Sequence, residues 1–206
     1  MPSLESSDGR RARGDRTRSV VLEAAVRQAS TDGLDGLSLA RLASGLGISK
    51  SALFTHWPDK QSLQLAVIEQ ANDQWKRLVV IPALEGQTGL AALRALMDSR
   101  LAFYAEPVLP GRCFFVATQA EFDDHPGPVR DRLRTLLRDW EALLCTLIRT
   151  AIDAGELPAD TDPAELAYEL DALGQTVVTR SRLLDSDTVF AHARASLHAR
   201  LTVSGG

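Results

Sequence analysis

Within eight consecutive positions the chain places Ser49, Lys50, Ser51, Thr55 and His56, a lysine and a histidine set among small hydroxyls. A lysine beside the cap of a helix reaches guanine O6 and N7 in a DNA major groove. Small hydroxyls bond bases or phosphate oxygens, and a histidine at a helix end donates to phosphate. Ser49 has a second reading as a helix cap only. Residues of this size and chemistry suit a nucleic-acid groove.

Such a set works only if a helix presents it, and the flanking sequence SLARLASGLGISKSALFTHWPDK supplies one. Leu39, Leu42, Ala43 and Leu46 fall at i, i+3, i+4 and i+7, one apolar stripe, with Ser38 placed to cap that helix and to donate to phosphate. Gly47 stands where a left-handed turn is wanted, Ile48 supplies a buried turn residue, and Ser49 can cap a second helix running to about His56. In that helix Ala52 and Leu53 face inward with Trp57 just beyond, which leaves Lys50, Ser51, Phe54 and Thr55 on the outer surface. The pattern is helix-turn-helix. Asp59 can cap the next helix, with Lys60 in its first turn where side chain and helix N-terminus together meet a phosphate.

The stretch resembles the DNA-binding domain of the TetR family of bacterial transcriptional repressors. The family pattern is matched by Ser38, Leu42-Ala43, Gly47-Ile48-Ser49, Leu53-Phe54-Thr55-His56-Trp57 and Lys60. Phe54 stands where the family usually has a tyrosine whose hydroxyl contacts a backbone phosphate. The resemblance implies a small-molecule inducer pocket between helices 4 and 8. It also implies a two-fold dimer built from the helices near 129–154 and 163–184.

Charge is distributed as a DNA reader on an acidic body would have it. The 206 residues carry a net −4, but residues 1–60 hold nine Lys and Arg against seven Asp and Glu, while the remainder holds fourteen against twenty. The head is thus +2 and the body −6. Residues 1–15 combine Ser, Gly and charge without periodicity and read as a disordered arm. Arg10, Arg11, Arg13, Arg16 and Arg18 make that arm basic, able to enter a minor groove or remain solvated. The helix-turn-helix domain is expected over 16–60, a linking helix over 60–78, and a helical ligand-binding and dimerisation domain over 61–206.

The remainder reads as all-α. Helix 1 starts near Thr17 and ends near Gly33, and Pro82, Gly86 and Gly89 mark a linker after helix 4. Helices follow over Leu90–Tyr104, Arg112–Phe122, Val129–Ala154 and Pro163–Leu184, with a last one capped by Asp187. The helices near 129–154 and 163–184 carry more apolar stripe than one small subunit covers, which points to a homodimer, with internal packing as the alternative. Two cysteines are too few for a disulfide framework, and no run approaches the ~20 apolar residues of a membrane helix. A cytoplasmic protein is expected.

Aromatic residues at helical spacing, Trp75, Phe103, Tyr104, Phe114, Phe115, Phe122 and Trp140, are either ordinary core or the lining of an inducer cavity, with Gln119, Glu121 or Arg100 as polar anchors. Catalysis finds little support. His125, His192 and His198 lack metal-ligand spacing, no cysteine pair has zinc spacing, and there is no Gly-rich phosphate loop. Glu121, Asp123, Asp124 and His125 form the one dense acid and base cluster, which reads as a helix terminus. The expectation is a non-enzymatic regulator without cofactor or metal, bound to a palindromic operator and released by a small ligand. A helical ligand-binding protein and a nonspecific architectural DNA binder are the alternatives.

Overall fold

A computed structural model of the chain describes residues 5–202, with side chains from Arg16 onward. Helix α1 (Glu5–Asp32) turns Val21, Leu22, Ala25, Val26 and Ala29 inward. It ends where Gly33 takes φ 75° and its N–H reaches the Ala29 carbonyl at 3.1 Å. The disordered arm expected over 1–15 therefore meets helical backbone from Glu5 on, and residues 1–4 lie outside the described ones. Arginine is a good helix former, and the four arginines among residues 5–16 favour extension of the adjoining helix against the cost of two glycines.

Helices α2 (Leu39–Leu46) and α3 (Lys50–His56) form as their caps dictate. The Ser38 Oγ accepts from the Arg41 N–H at 3.3 Å, and the Ser49 Oγ from the Ala52 N–H at 3.3 Å. Gly47 adopts φ 64°, the left-handed conformation that closes α2. Leu34, Leu37, Leu42, Ala43, Leu53 and Trp57 bury together against α1. The Arg18 guanidinium lies 5.7 Å from the Trp57 ring.

Helix α4 (Lys60–Trp75) opens with a full capping box between Asp59 and Ser62. Contrary to a linker at Pro82, the helix runs on through a π-turn, Lys76–Val80, into α5 (Ile81–Leu84). The Ile81 N–H bonds the Lys76 carbonyl, five residues back, and Pro82 sits in the first turn of α5, where its missing N–H is harmless. Helix α6 (Gly89–Ala105) is apolar around most of its circumference and forms the centre of the body, with Leu93, Leu96, Met97 and Leu101 buried.

Helix α7 spans Phe114–Glu121, shorter than the expected Arg112–Phe122, because Arg112 takes φ 67° and Cys113 is extended. Helices α8 (Pro128–Asp153) and α9 (Pro163–Arg180) pack against each other, and α8 also covers α6. Helix α9 stops at Arg180 rather than Leu184. Helix α10 (Ser186–Arg200) is capped by Asp185, whose carboxylate accepts from the Thr188 N–H at 2.9 Å; Asp187, expected as the cap, lies in the first turn. Among the described residues one apolar cluster runs from Val21 through to Leu201 without a break between head and body. No helix among them is long and apolar enough to cross a membrane.

Candidate DNA-reading surface and ligand cavity

On α3 the inward positions are Leu53 and, just beyond the helix, Trp57, 0% and 2% exposed. That fixes the opposite face, where Lys50, Ser51, Phe54 and Thr55 are exposed together. Ser49 also stands exposed, its Oγ 3.1 Å from that of Ser51, while the Thr55 hydroxyl donates to the Ser51 carbonyl at 3.0 Å. His56 and Ser38 are half-buried, the His56 ring tilted against Trp57 at 5.5 Å. Phe54, 48% exposed, offers an apolar edge of the kind that contacts a thymine methyl. Lys60 differs from its neighbours: its Nζ donates to the Asp35 carbonyl at 2.8 Å and pairs with the Asp35 carboxylate at 3.1 Å. The hydrogen bond from Lys60 holds the Asp35 carboxyl below its usual range, so the pair stays charged at neutral pH.

The second site is a cavity of about 150 Å³ in the body, walled by the C-terminal part of α4, by α6, α7, α8 and α9. Trp75, Tyr104, Phe115 and Trp140 give it aromatic walls, with Val116, Leu136 and Leu143 between them. Trp75 meets Trp140 edge-on at 5.6 Å and lies over Tyr104 at 6.0 Å. Into this apolar wall is set a buried ion pair. The Arg100 Nη2 lies 2.9 Å from the Asp171 carboxylate, the two side chains 4% and 12% exposed. Arg100 Nε donates to the Tyr104 hydroxyl at 2.9 Å, and Asp171 also accepts from Trp140 Nε1 at 2.9 Å and from Gln175 Nε2 at 2.6 Å.

Burial by itself disfavours the Arg100 charge, but Tyr104 and Asp171 outweigh it and the guanidinium titrates above its ordinary value. Burial pushes the Tyr104 phenol and the Cys113 thiol up, so both are neutral. The guanidinium needs Gly174 beneath it: a Cβ there would stand 2.2 Å from Arg100 Cζ. A glycine inside a helix costs roughly 1 kcal/mol against alanine, and here it makes room for the charge.

Two sets of contacts join the sites. The Glu121 carboxylate, at the end of α7, accepts from the backbone N–H groups of Leu34 and Asp35 at 2.6 and 2.8 Å, in the turn between α1 and α2. Gly33 must lack a side chain there, since a Cβ would fall 2.5 Å from Glu121. The Gly111 N–H donates to Ser30 Oγ at 3.1 Å, and Arg27 to the Val108 carbonyl at 2.9 Å. Helix α4 makes the other connection. Its Gln64 donates to the Leu34 carbonyl at 3.1 Å, and Glu69 takes a two-pronged bond from Arg132 of α8 at 2.5 and 2.8 Å. About three turns beyond Gln64, Trp75 and Lys76 line the cavity.

Of the aromatic candidates, Trp75, Tyr104, Phe115 and Trp140 line the cavity, as do Gln119 and Arg100. Phe103, Phe114 and Phe122 do not; they are buried in the core, Phe103 edge-on to Trp75 at 5.4 Å and Phe114 to Phe115 at 5.2 Å. Glu121, weighed as a pocket anchor, faces the α1–α2 turn instead. Asp171, Asn72 and Gln175 were missed. The available signal was an acid and a glycine, Asp171 and Gly174, on the same buried stripe of α9 as Ala167, Leu170 and Val178. Among the described residues no group of three or more His, Cys, Asp or Glu is placed to hold a metal ion.

Comparison with known proteins bears on both sites. Residues 21–67 match the family model described as bacterial regulatory proteins, tetR family, and residues 89–197 match the tetracyclin repressor-like C-terminal domain. The HTH-type transcriptional regulator TtgR of Pseudomonas putida is 23% identical over 172 residues, covering 82% of this chain and 81% of that protein. The HTH-type transcriptional repressor BepR of Brucella suis is 25% identical over 162 residues, covering 78% and 77%. The crystal structure of a TetR transcriptional regulator from Chloroflexus aurantiacus superposes with a TM-score of 0.84 at 24% identity, covering 91% of this chain and 95% of that one. A TetR-family regulator from Cytophaga hutchinsonii gives 0.82 at 21% identity, over 94% and 98%. With both its reading head and its helical body matched, the chain belongs to the TetR family and is a DNA-binding transcriptional regulator, not an enzyme.

Proposed function

We propose that this regulator is a homodimeric, cytoplasmic repressor that binds an inverted-repeat operator through α3 and is released when a small molecule enters the cavity. The observation that carries the reading is that α4 and α7 each reach from the cavity to the reading head. Trp75 of α4 and Phe115 and Val116 of α7 line the cavity, while Gln64 and Glu121 on the same helices hold the α1–α2 turn. A guest that displaces either wall displaces the reader. Moving a population from 1:99 to 99:1 needs a difference of ~5.5 kcal/mol between the two states, so the guest must contact the walls differently in each.

Dimerisation through α8 and α9 is supported by large apolar side chains left exposed on and just past α9: Tyr168 is 73% exposed, and Leu183 and Leu184 are 81% and 61% exposed. A two-fold pair places two α3 helices on half-sites about one turn, ~34 Å, apart or a multiple of it. Both cysteines are free thiols, in keeping with a reducing compartment. The test is a selection from random duplex DNA at near-physiological salt, repeated with Lys50→Ala. Enrichment of an inverted repeat, weakened by the substitution, is expected. Binding without any enriched sequence, by a folded dimer, would sink the repressor reading in favour of a nonspecific binder.

A further inference from the structure

The cavity wall contains one buried donor that the protein leaves unused. Arg100 Nε is taken by Tyr104 and Nη2 by Asp171, but Nη1 has no hydrogen-bond partner although Arg100 is 4% exposed. A guanidinium only donates, so what completes it must be an acceptor. The neighbouring acceptor, Asp171, already receives Arg100, Trp140 and Gln175. A buried donor of this kind is satisfied by a guest oxygen when one enters.

The charges around the cavity set the guest's own charge. Arg100 is paired with Asp171, and the exposed rim carries one charge of each sign, Lys76 and Asp139. These four charges sum to zero, so an ionised guest would be buried without a counter-charge. A cation is opposed twice. Two of the four aromatic walls, Trp140 and Tyr104, already carry the Arg100 guanidinium, at 5.2 and 5.6 Å, and that buried charge repels a second cation.

Shape follows from size and walls. A cavity of about 150 Å³ between Trp75, Phe115 and Trp140 matches the volume of cavities that take a benzene-sized guest. Aromatic rings favour edge-on and offset contacts with one another, so walls of this kind favour a flat ring as guest.

We infer that the cavity selects an uncharged, single-ring aromatic molecule bearing a carbonyl-type oxygen, which accepts from Arg100 Nη1 while its ring packs among Trp75, Phe115 and Trp140. This rests on the reading of the cavity as the inducer site, but binding is measured apart from operator release. Trp75 and Trp140 lie in the wall, so quenching of tryptophan fluorescence reports occupancy of the purified protein directly. The probes are acetophenone, ethylbenzene without the oxygen, cyclohexyl methyl ketone without the aromatic ring, benzoate with a negative charge, and benzyltrimethylammonium with a positive one.

Acetophenone should bind saturably and at least tenfold more tightly than each of the other four. The double variant Arg100→Met/Asp171→Asn removes both buried charges together, and should bind acetophenone and ethylbenzene equally, with circular dichroism checking its fold. If that variant does not fold, the panel on the natural protein still decides. Equal binding of ethylbenzene, tighter binding of benzoate or of the ammonium, or no saturable binding of acetophenone each overturns the inference. Saturable acetophenone binding that leaves operator affinity unchanged upholds the ligand class and overturns the release mechanism instead.

Discussion

The two ends of the molecule handle charge in opposite ways. On α3 the polar groups stand in water on one exposed face, fixed by caps that reach no more than three residues along the chain. In the body, Arg100 and Asp171 are buried and paired across 71 positions of sequence. An exposed lysine is free to meet a phosphate or a base and contributes little to folding. A buried ion pair is strongly coupled to the fold, because removing one partner strands the other in an apolar wall. Apart from the Ser49 cap, the reader's outward side chains are therefore open to substitution without loss of structure, and the buried pair is not.

That contrast can be broken most sharply at Asp171. Asp171→Ala, which leaves Arg100 buried and unpaired, should lower stability by about 3–5 kcal/mol in urea denaturation, and the charge-free double variant Arg100→Met/Asp171→Asn should recover most of that loss. Equal losses in the two variants would mean that the pair is no more than packing. Gly174→Ala drives a methyl into the guanidinium, and should destabilise by roughly 1–3 kcal/mol despite alanine's better helix propensity. A rise in melting temperature would show that Arg100 can swing away freely.

At the other end the order of effects reverses. Lys50→Ala should cost about 1–3 kcal/mol of operator affinity if the lysine reads a base, or reduce the salt slope of binding by about one if it meets phosphate, with the melting temperature unchanged. Ser49→Ala removes the α3 cap, and should cost roughly 1 kcal/mol of stability by thermal denaturation.

The smallest effect concerns the Glu69–Arg132 bridge between α4 and α8. The hydrogen bond from Arg132, against a smaller opposing effect of burial, holds the Glu69 carboxyl below its ordinary range. A lowered acid contributes its stability fully at neutral pH, and loses it as pH falls through the folded value. With Glu69 half-exposed, Glu69→Gln should cost only about 0.5 kcal/mol at pH 7, and the difference from the natural protein should close toward pH 3. A gap that persists there would assign the effect to packing.

The reading head was legible because its determinants are local. Ser38, Gly47 and Ser49 fix the caps and the turn within a few residues, and the period of Leu39, Leu42 and Ala43 fixes the buried face. The body was legible as helices but not as a site. Seven aromatics at helical spacing look alike in sequence, and which four turn toward one cavity depends on how five helices cross. Where the sequence departs from the structure, a distant neighbour is the reason. Pro82 remains in a continuous helix because a π-turn absorbs it, and Glu121 holds the α1–α2 turn because α7 packs against α1.

By itself the sequence determined the all-helical class, the helix-turn-helix, its outward residues and the acidic helical body, since each rests on residue type and short-range period. The tertiary structure alone decided that Arg100 pairs with Asp171, that Lys60 is engaged by Asp35, and that Glu121 spans head and body. Partners so far apart along the chain are chosen by helix packing, and no local propensity encodes that choice.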